Sequence, residues 1–207
     1  MDAPVPTAAP AEPPTAALNA AALIAHRQTI LPKRLDEPGP DESQLDQIFR
    51  AAAAAPDHNE RLPWRFVLIP SSQRERLAQV FAASLRERDP LATAEQTEQA
   101  REKAFRSPTL MLAVVDSGPP DDEIPPPERY ISAGGAIQNM LLMATAQGFG
   151  SALTSGKAME SNGLRDLFAL RDTEHAVCFV SIGTAAKRKP VRARPEPDRF
   201  VSTLGPE

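Results

Sequence analysis

The stretch from Tyr130 to Gly156, YISAGGAIQNMLLMATAQGFGSALTSG, decides the fold. Ile137, Met140, Leu141, Ala144 and Gly148 recur at helical spacing on one face. Leu142, Met143 and Ala146 make the other faces nearly as apolar, the pattern of a helix buried in a core or a subunit interface. Gln138, Asn139, Thr145 and Gln147 interrupt it well below the roughly 20-residue apolar span that a bilayer requires. Gly134 and Gly135, near the start, are costly in a helix unless something approaches the backbone closely. Gly148-Phe149-Gly150 ends the helix, with glycine suited to the left-handed C-terminal position. Leu153-Thr154-Ser155-Gly156 then reads as a small, polar, flexible turn against which a ligand can press.

The rest of the chain gives this helix a core to sit in. At 207 residues it fits one domain on a prior of roughly 150 residues each, and 42% hydrophobic residues suffice for a sizeable core. A formal net charge of −4 argues against a nucleic-acid partner. One cysteine excludes an intrachain disulfide framework and a multi-cysteine metal site, and no metal is expected. With neither a secretion-signal pattern nor a membrane span, the cytoplasm is the expected compartment.

Residues 1–17 are Pro/Ala-rich without apolar period and read as a disordered tail. A short helix over 18–27 spaces Leu18, Ala21, Ala22 and Ala25 for burial, and the prolines of ILPKRLDEPGP keep the next segment extended. Asp41 with Gln44 forms a capping-box pattern ahead of Leu45, Ile48, Phe49 and Ala52. Arg65 to Ile69 has strand length, and Ser72 with Glu75 predicts a capped helix with Leu77, Val80, Phe81 and Leu85 inward. Thr93 to Phe105 is helical but mostly polar. Thr109 to Val115 and Val177 to Ile182 read as core strands, with a short helix over 164–170 before the latter. Residues 18–185 then form one α+β layered domain. The basic, proline-broken segment 186–207 is an arm that needs another surface to lie on.

No common catalytic set is present. His26, His58 and His175 fall in no metalloprotease motif, Cys178 sits mid-strand as a small apolar residue, and no phosphate-cradling glycine motif occurs. No side chain is therefore assigned as catalytic. Three segments suit a bound ligand, each with an ordinary structural explanation beside it. Arg27-Gln28-Thr29 offers a fork, an amide and a hydroxyl to phosphate oxygens, or simply a cation at a helix C-terminus. Asp57-His58-Asn59 is a polar loop before a core strand, or plain turn chemistry. Thr154-Ser155-Gly156 follows the long helix, or is a solvated connection.

Their order, with RQTILPKRL then EPGP, AAPDH then PWRF, and GGAIQNMLLMATAQGFG leading into TSG, resembles the FMN-dependent nitroreductase family. The likeness runs from about Leu18 to Phe200 and is greatest to the small single-domain bacterial NAD(P)H nitroreductases. It implies a nitroreductase-like layered fold, a central, mainly antiparallel sheet flanked by helices in an intertwined homodimer. It implies FMN at the subunit interface, NAD(P)H as co-substrate, and ping-pong transfer of hydride to a small nitroaromatic or quinone-like acceptor. By that resemblance Arg27, Gln28 and Thr29 hold the FMN phosphate and ribityl chain, while His58 and the segment Leu153, Thr154 and Ser155 contact flavin. Met143 to Gly148 corresponds to a stretch linked with the nicotinamide cofactor.

The chain departs from the family pattern at Glu60 and Leu62, where Asn and Gln are frequent, at Gln28 in place of a second Arg, and at Ala54 in place of an Arg. Arg192 and Arg194 are candidates to restore the charge from the partner subunit, beside the simpler reading of an exposed basic arm. Segments 93–105 and 116–127 are candidates to line the acceptor pocket. A non-catalytic flavin-binding or storage protein, and a flavin-fold enzyme of another reaction such as dehalogenation or flavin breakdown, stay open at this point.

Overall fold

The computed structural model describes residues 15–188, 190 and 193–205. The helices are α1 (Thr15–His26), α2 (Glu42–Ala53), α3 (Arg74–Arg88), α4 (Ala94–Glu102), α5 (Pro126–Ala146) and α6 (Asn162–Leu167). The strands are β1 (Leu35–Asp36), β2 (Trp64–Leu68), β3 (Thr109–Asp116), β4 (Gly150–Thr154) and β5 (Glu174–Ala185). They form one antiparallel sheet in the order β1-β5-β3-β2, with β4 also paired to β5.

Strand β3 explains the two layers. Its apolar run is continuous because both sheet faces are covered, and side chains alternate between them. Met111, Ala113 and Val115 join Ile48 and Ala52 of α2 and Ala136, Ile137, Met140, Leu141 and Ala144 of α5. Leu110, Leu112 and Val114 face the other way, toward Leu77 and Ala78 of α3 and Leu164 of α6. Each fully buried Leu, Ile or Met contributes roughly 1.5–3 kcal/mol.

Local signals explain most helix boundaries. The Asp41 carboxylate accepts from the Gln44 N–H at 2.8 Å, and the Gln44 side chain accepts from the Asp41 N–H at 2.9 Å. Thr93 and Gln96 form the same box ahead of α4. The expected Ser72 cap does not form, because Ser71–Gln73 is a 3-10 turn and α3 begins at Arg74. Arg74 does the anchoring instead. Buried at 4% exposure, it donates to the carbonyls of Ile69, Ala104 and Pro108 at 2.7, 2.8 and 3.1 Å. Burial lowers the pKa of this guanidinium, and the three carbonyls satisfy it.

Three further readings change. Of the segment expected as a flexible turn, Leu153 and Thr154 belong to strand β4, which runs from Gly150 to Thr154 and pairs with β5 from Gly183 to Phe179, and only Ser155 and Gly156 lie beyond it. Helix α1 begins at Thr15, within the expected tail, and its Ala21, Ala22 and Ala25 are exposed rather than buried. Residues 1–14 lie outside the described residues. Helix α5 is not covered all round: Ile131 is 75% exposed, and Gly134, Gln138 and Ala146 are exposed too. Gly148, at φ 89°, takes the expected left-handed position after α5. At Gly150 a Cβ would come within 2.8–3.1 Å of Leu35, Ile30 and Ala185, so only glycine lets these segments close on β4.

Candidate functional site

The first candidate segment is joined to the strand that leads into the third. Thr29 forms a parallel bridge with Ser151, and the Ile30 N–H donates to the Ser151 carbonyl at 2.9 Å. The chain leaving α1 is thereby fixed beside β4, and Arg27 and Gln28 are half-buried there. Arg194 of the arm comes to the same corner, donating to the Arg27 carbonyl at 3.3 Å. That contact lies within one chain, while Arg192 is outside the described residues. Arg188 also lies back on its own chain, donating to the Gly148 carbonyl at 2.7 Å.

Beyond Thr29 the prolines do not keep the chain extended as expected: Pro32–Arg34 is a 3-10 turn, and Leu31, Pro32 and Lys33 border a cleft of about 390 Å³. Thr154, Ser155, Gly156 and Lys157 continue its wall where β4 ends. Leu110 and Phe179 of the sheet and Phe81 of α3 line it with apolar surface. The Phe81 and Phe179 rings meet edge-on, with centroids 5.5 Å apart and planes at 87°. Arg88 from α3, and Ala100, Lys103 and Arg106 from α4 and the residues after it, complete the lining. Leu153 does not line the cleft and is 42% exposed.

His58 lies elsewhere. It sits in a 3-10 turn before β2, and its Nδ1 is hydrogen-bonded to Glu128 at 2.8 Å, in the first turn of α5. The Thr29–Ser151 bridge lies past the other end of α5, whose 21 residues span about 30 Å. One chain therefore does not bring His58 to Arg27 and Thr29. The loop holding His58 carries Asn59, Glu60 and Leu62 at positive φ, and the Asp57 carboxylate accepts the Leu62 N–H at 2.6 Å. Glu60 and Leu62, where the sequence departs from the family pattern, are thus backbone-constrained positions.

The two segments expected to line an acceptor pocket part company. Ala100 and Lys103 of 93–105 line the cleft, whereas no residue of 116–127 does. That loop folds onto the buried Arg129, which pairs with Asp122 at 2.9 Å and donates to the Ile124 carbonyl at 3.1 Å. Gly118, at φ 74°, packs against the same guanidinium, where a Cβ would lie 2.7 Å from it. Met143 to Gly148 ends α5 against the core and α2, with Gln147 donating to the Gln44 carbonyl at 3.2 Å. Lys33, Arg88, Arg106 and Lys157 were not singled out from the sequence. They come from separate segments, and no motif or period links them.

An antiparallel sheet between two helical layers, with the long apolar helix α5 on one face and a cationic cleft on the other, defines an α+β domain of the nitroreductase type. The Nitroreductase family model matches residues 24–184, and the chain belongs to that family. Its class of activity is that of an oxidoreductase. It is 34% identical over 188 residues to the Escherichia coli (strain K12) protein named "Putative NAD(P)H nitroreductase YdjA", covering 89% of this chain and 99% of that one. Among solved structures it resembles a nitroreductase-like family protein from Bacillus cereus, with a TM-score of 0.77 at 20% identity over 89% of this chain and 95% of that one. It also resembles a nitroreductase with bound FMN from Bacteroides fragilis, with a TM-score of 0.66 at 17% identity over 89% and 98% of the two chains.

Proposed function

We propose that the chain is an FMN-dependent NAD(P)H oxidoreductase, acting as a homodimer on a small nitroaromatic or quinone-like acceptor. The observation that carries this reading is the Thr29–Ser151 bridge, which sets Arg27-Gln28-Thr29 beside the strand that leads into the Thr154–Ser155 cleft. The residues present fit the cofactor: guanidinium groups for a phosphate at Arg27 and Arg194, and an apolar, cation-rimmed cleft for a flat ring that gains electrons. The name of the E. coli relative and the FMN in the Bacteroides neighbour support the same pair of cofactors.

Bound FMN supplies the redox chemistry, which is why no nucleophile or proton-relay set is needed. The chain's own groups do the rest. Arg27, Gln28 and Thr29 bind the phosphate and ribityl chain, with Arg194 adding charge from the arm. Phe81, Leu110 and Phe179 exclude water from one side of the cleft. Lys33 and Lys157 place positive charge on the rim beside Ser155. NAD(P)H and the acceptor occupy the cleft in turn, a ping-pong order.

What one chain leaves uncovered supports the homodimer. Ile24 of α1 is 56% exposed, Ile131 of α5 75% and Phe200 of the arm 70%. A second copy covering α1 and α5 also supplies the missing neighbour of the phosphate corner, its own His58 loop.

Purified protein is expected to be yellow, dimeric and reducible by NADPH under argon, with reoxidation on adding a nitroaromatic. Colourless protein that takes up no added FMN overturns the reading. Bound flavin that NADPH and NADH both leave oxidised identifies a flavin-binding protein without turnover.

A further inference from the structure

Lys33, Arg88, Lys103, Arg106 and Lys157 all line the cleft, and no aspartate or glutamate does. The chain as a whole is acidic, with a formal net charge of −4, so this concentration of positive charge runs against its average. Among the described residues none of the five is in an ion pair, although Arg50, Arg65, Arg101, Arg129 and Arg171 all are. Like charges without counter-charges repel one another, and in a cleft with apolar walls their field is focused on whatever enters.

Two of the five are accounted for by the proposed function, since Lys33 and Lys157 flank the Thr154–Ser155 segment. The other three belong to the α3–α4 wall. Arg88 ends α3, Lys103 follows α4, and Arg106 precedes β3. Buried Arg74 braces this wall by gripping the carbonyls of Ala104 and Pro108, on either side of Arg106. Among the described residues Arg88 makes only a 3.5 Å contact with the Ser84 carbonyl, and no hydrogen bond holds the side chains of Lys103 or Arg106. Their donors are available to a ligand.

We propose that the molecule sharing this cleft with the flavin carries an anionic group, a carboxylate or a phosphate, and that Arg88, Lys103 and Arg106 recognise it. Phe81, Leu110 and Phe179 seat its apolar part. This rests on the flavin reading for the reaction, but the charge preference is a property of the cleft alone. The anion has two sources, a substituent on the acceptor or the 2′-phosphate of NADPH.

The test is equilibrium binding and steady-state kinetics with matched probes. One pair is 4-nitrobenzoate and the neutral 4-nitrobenzamide, and the other is NADPH and NADH. Wild type is expected to prefer the anionic member of at least one pair by about tenfold or more, the worth of one charge-assisted hydrogen bond. The preference should shrink as salt rises. It should vanish in Arg88→Gln/Lys103→Gln/Arg106→Gln and survive in Lys103→Arg, with FMN content unchanged in both. Preference in the first pair identifies an acidic acceptor, and preference in the second the nucleotide phosphate. No preference in either pair, or a preference that survives the triple substitution, overturns the proposal. Because binding is measured with and without FMN, protein that takes up no flavin refutes the cofactor reading while the charge preference is still decided.

Discussion

Thr29 and Ser151 are more than 120 positions apart in the chain and lie side by side in a parallel bridge. The pairing sets one modest sequence signal beside the strand that leads to another. It fixes the residue after Arg27-Gln28 against the strand that leads to Thr154 and Ser155. Gly150, one position before Ser151, permits it, because any side chain there would strike Ile30 and Leu35.

Arg27 is the first test of that corner. Among the described residues it is in no ion pair, its side chain is half-buried, and Arg194 lies at its carbonyl. Arg27→Ala is expected to weaken FMN binding by about tenfold to a hundredfold, the range of a lost charge-assisted hydrogen bond. Cys178→Ser, by contrast, should leave flavin content unchanged. Its thiol is buried in β5 and pushed up to about 11 by burial, so it is a packing group. Flavin titration by fluorescence quenching checks both. Normal flavin affinity in Arg27→Ala with loss in Cys178→Ser would reverse the assignment.

The separation of His58 from Thr29 along α5 makes a sharper claim about subunits. If the flavin site takes Arg27 from one chain and His58 from the other, a dimer of one Arg27→Ala and one His58→Ala chain has one intact site and one doubly altered site. Co-expressed, differently tagged chains should then recover tight FMN at about half the wild-type content, although each homodimer binds weakly. If both residues served the same site from one chain, every site in the mixed dimer would carry a defect. No recovery would therefore exclude the shared site.

The contrast between what local pattern shows and what pairing creates runs through the whole chain. The Asp41–Gln44 box, the helix that follows it, the core strand of β3 and the apolar body of α5 are short-range facts, legible in order along the sequence, although α5 starts at Pro126, inside the segment expected as a loop. Strand β4 is not. Gly150-Ser151-Ala152 has weak strand preference, and its conformation is set by β5, pairing Ser151 with Ile182 and Leu153 with Val180. Ser72 failed as a cap because Arg74, three hydrogen bonds deep in the core, anchors the start of α3. The α3–α4 wall was half-visible as a polar helix, but its role depends on Arg88 and Arg106 converging across the fold. Exposure of Ala21, Ala22 and Ala25 on α1 likewise contradicts the burial that their spacing predicts.

Glu174 is where acid should act first on the fold. Its carboxylate is 3% exposed, and Arg65 binds it through two hydrogen bonds at 2.7 and 3.1 Å. The Arg171 N–H adds a third at 2.9 Å. The Arg65 hydrogen bonds lead in lowering its pKa from 4.5 to about 2, against the opposing effect of burial. A folded-state value below the unfolded one means that the contribution to stability is fully present above pH 4.5 and is lost as pH falls toward 2. A shift of that size corresponds to about 3 kcal/mol, and solvent around Arg65 and Arg171, 39% and 67% exposed, reduces it to about 2 kcal/mol. Glu174→Gln keeps the shape and removes the charge, so it should lower unfolding free energy by about 2 kcal/mol at pH 7 and by much less at pH 2.5. Urea denaturation of both proteins at the two pH values checks this. An equal gap at both would show that the pairing of Arg65 with Glu174 contributes through packing rather than charge.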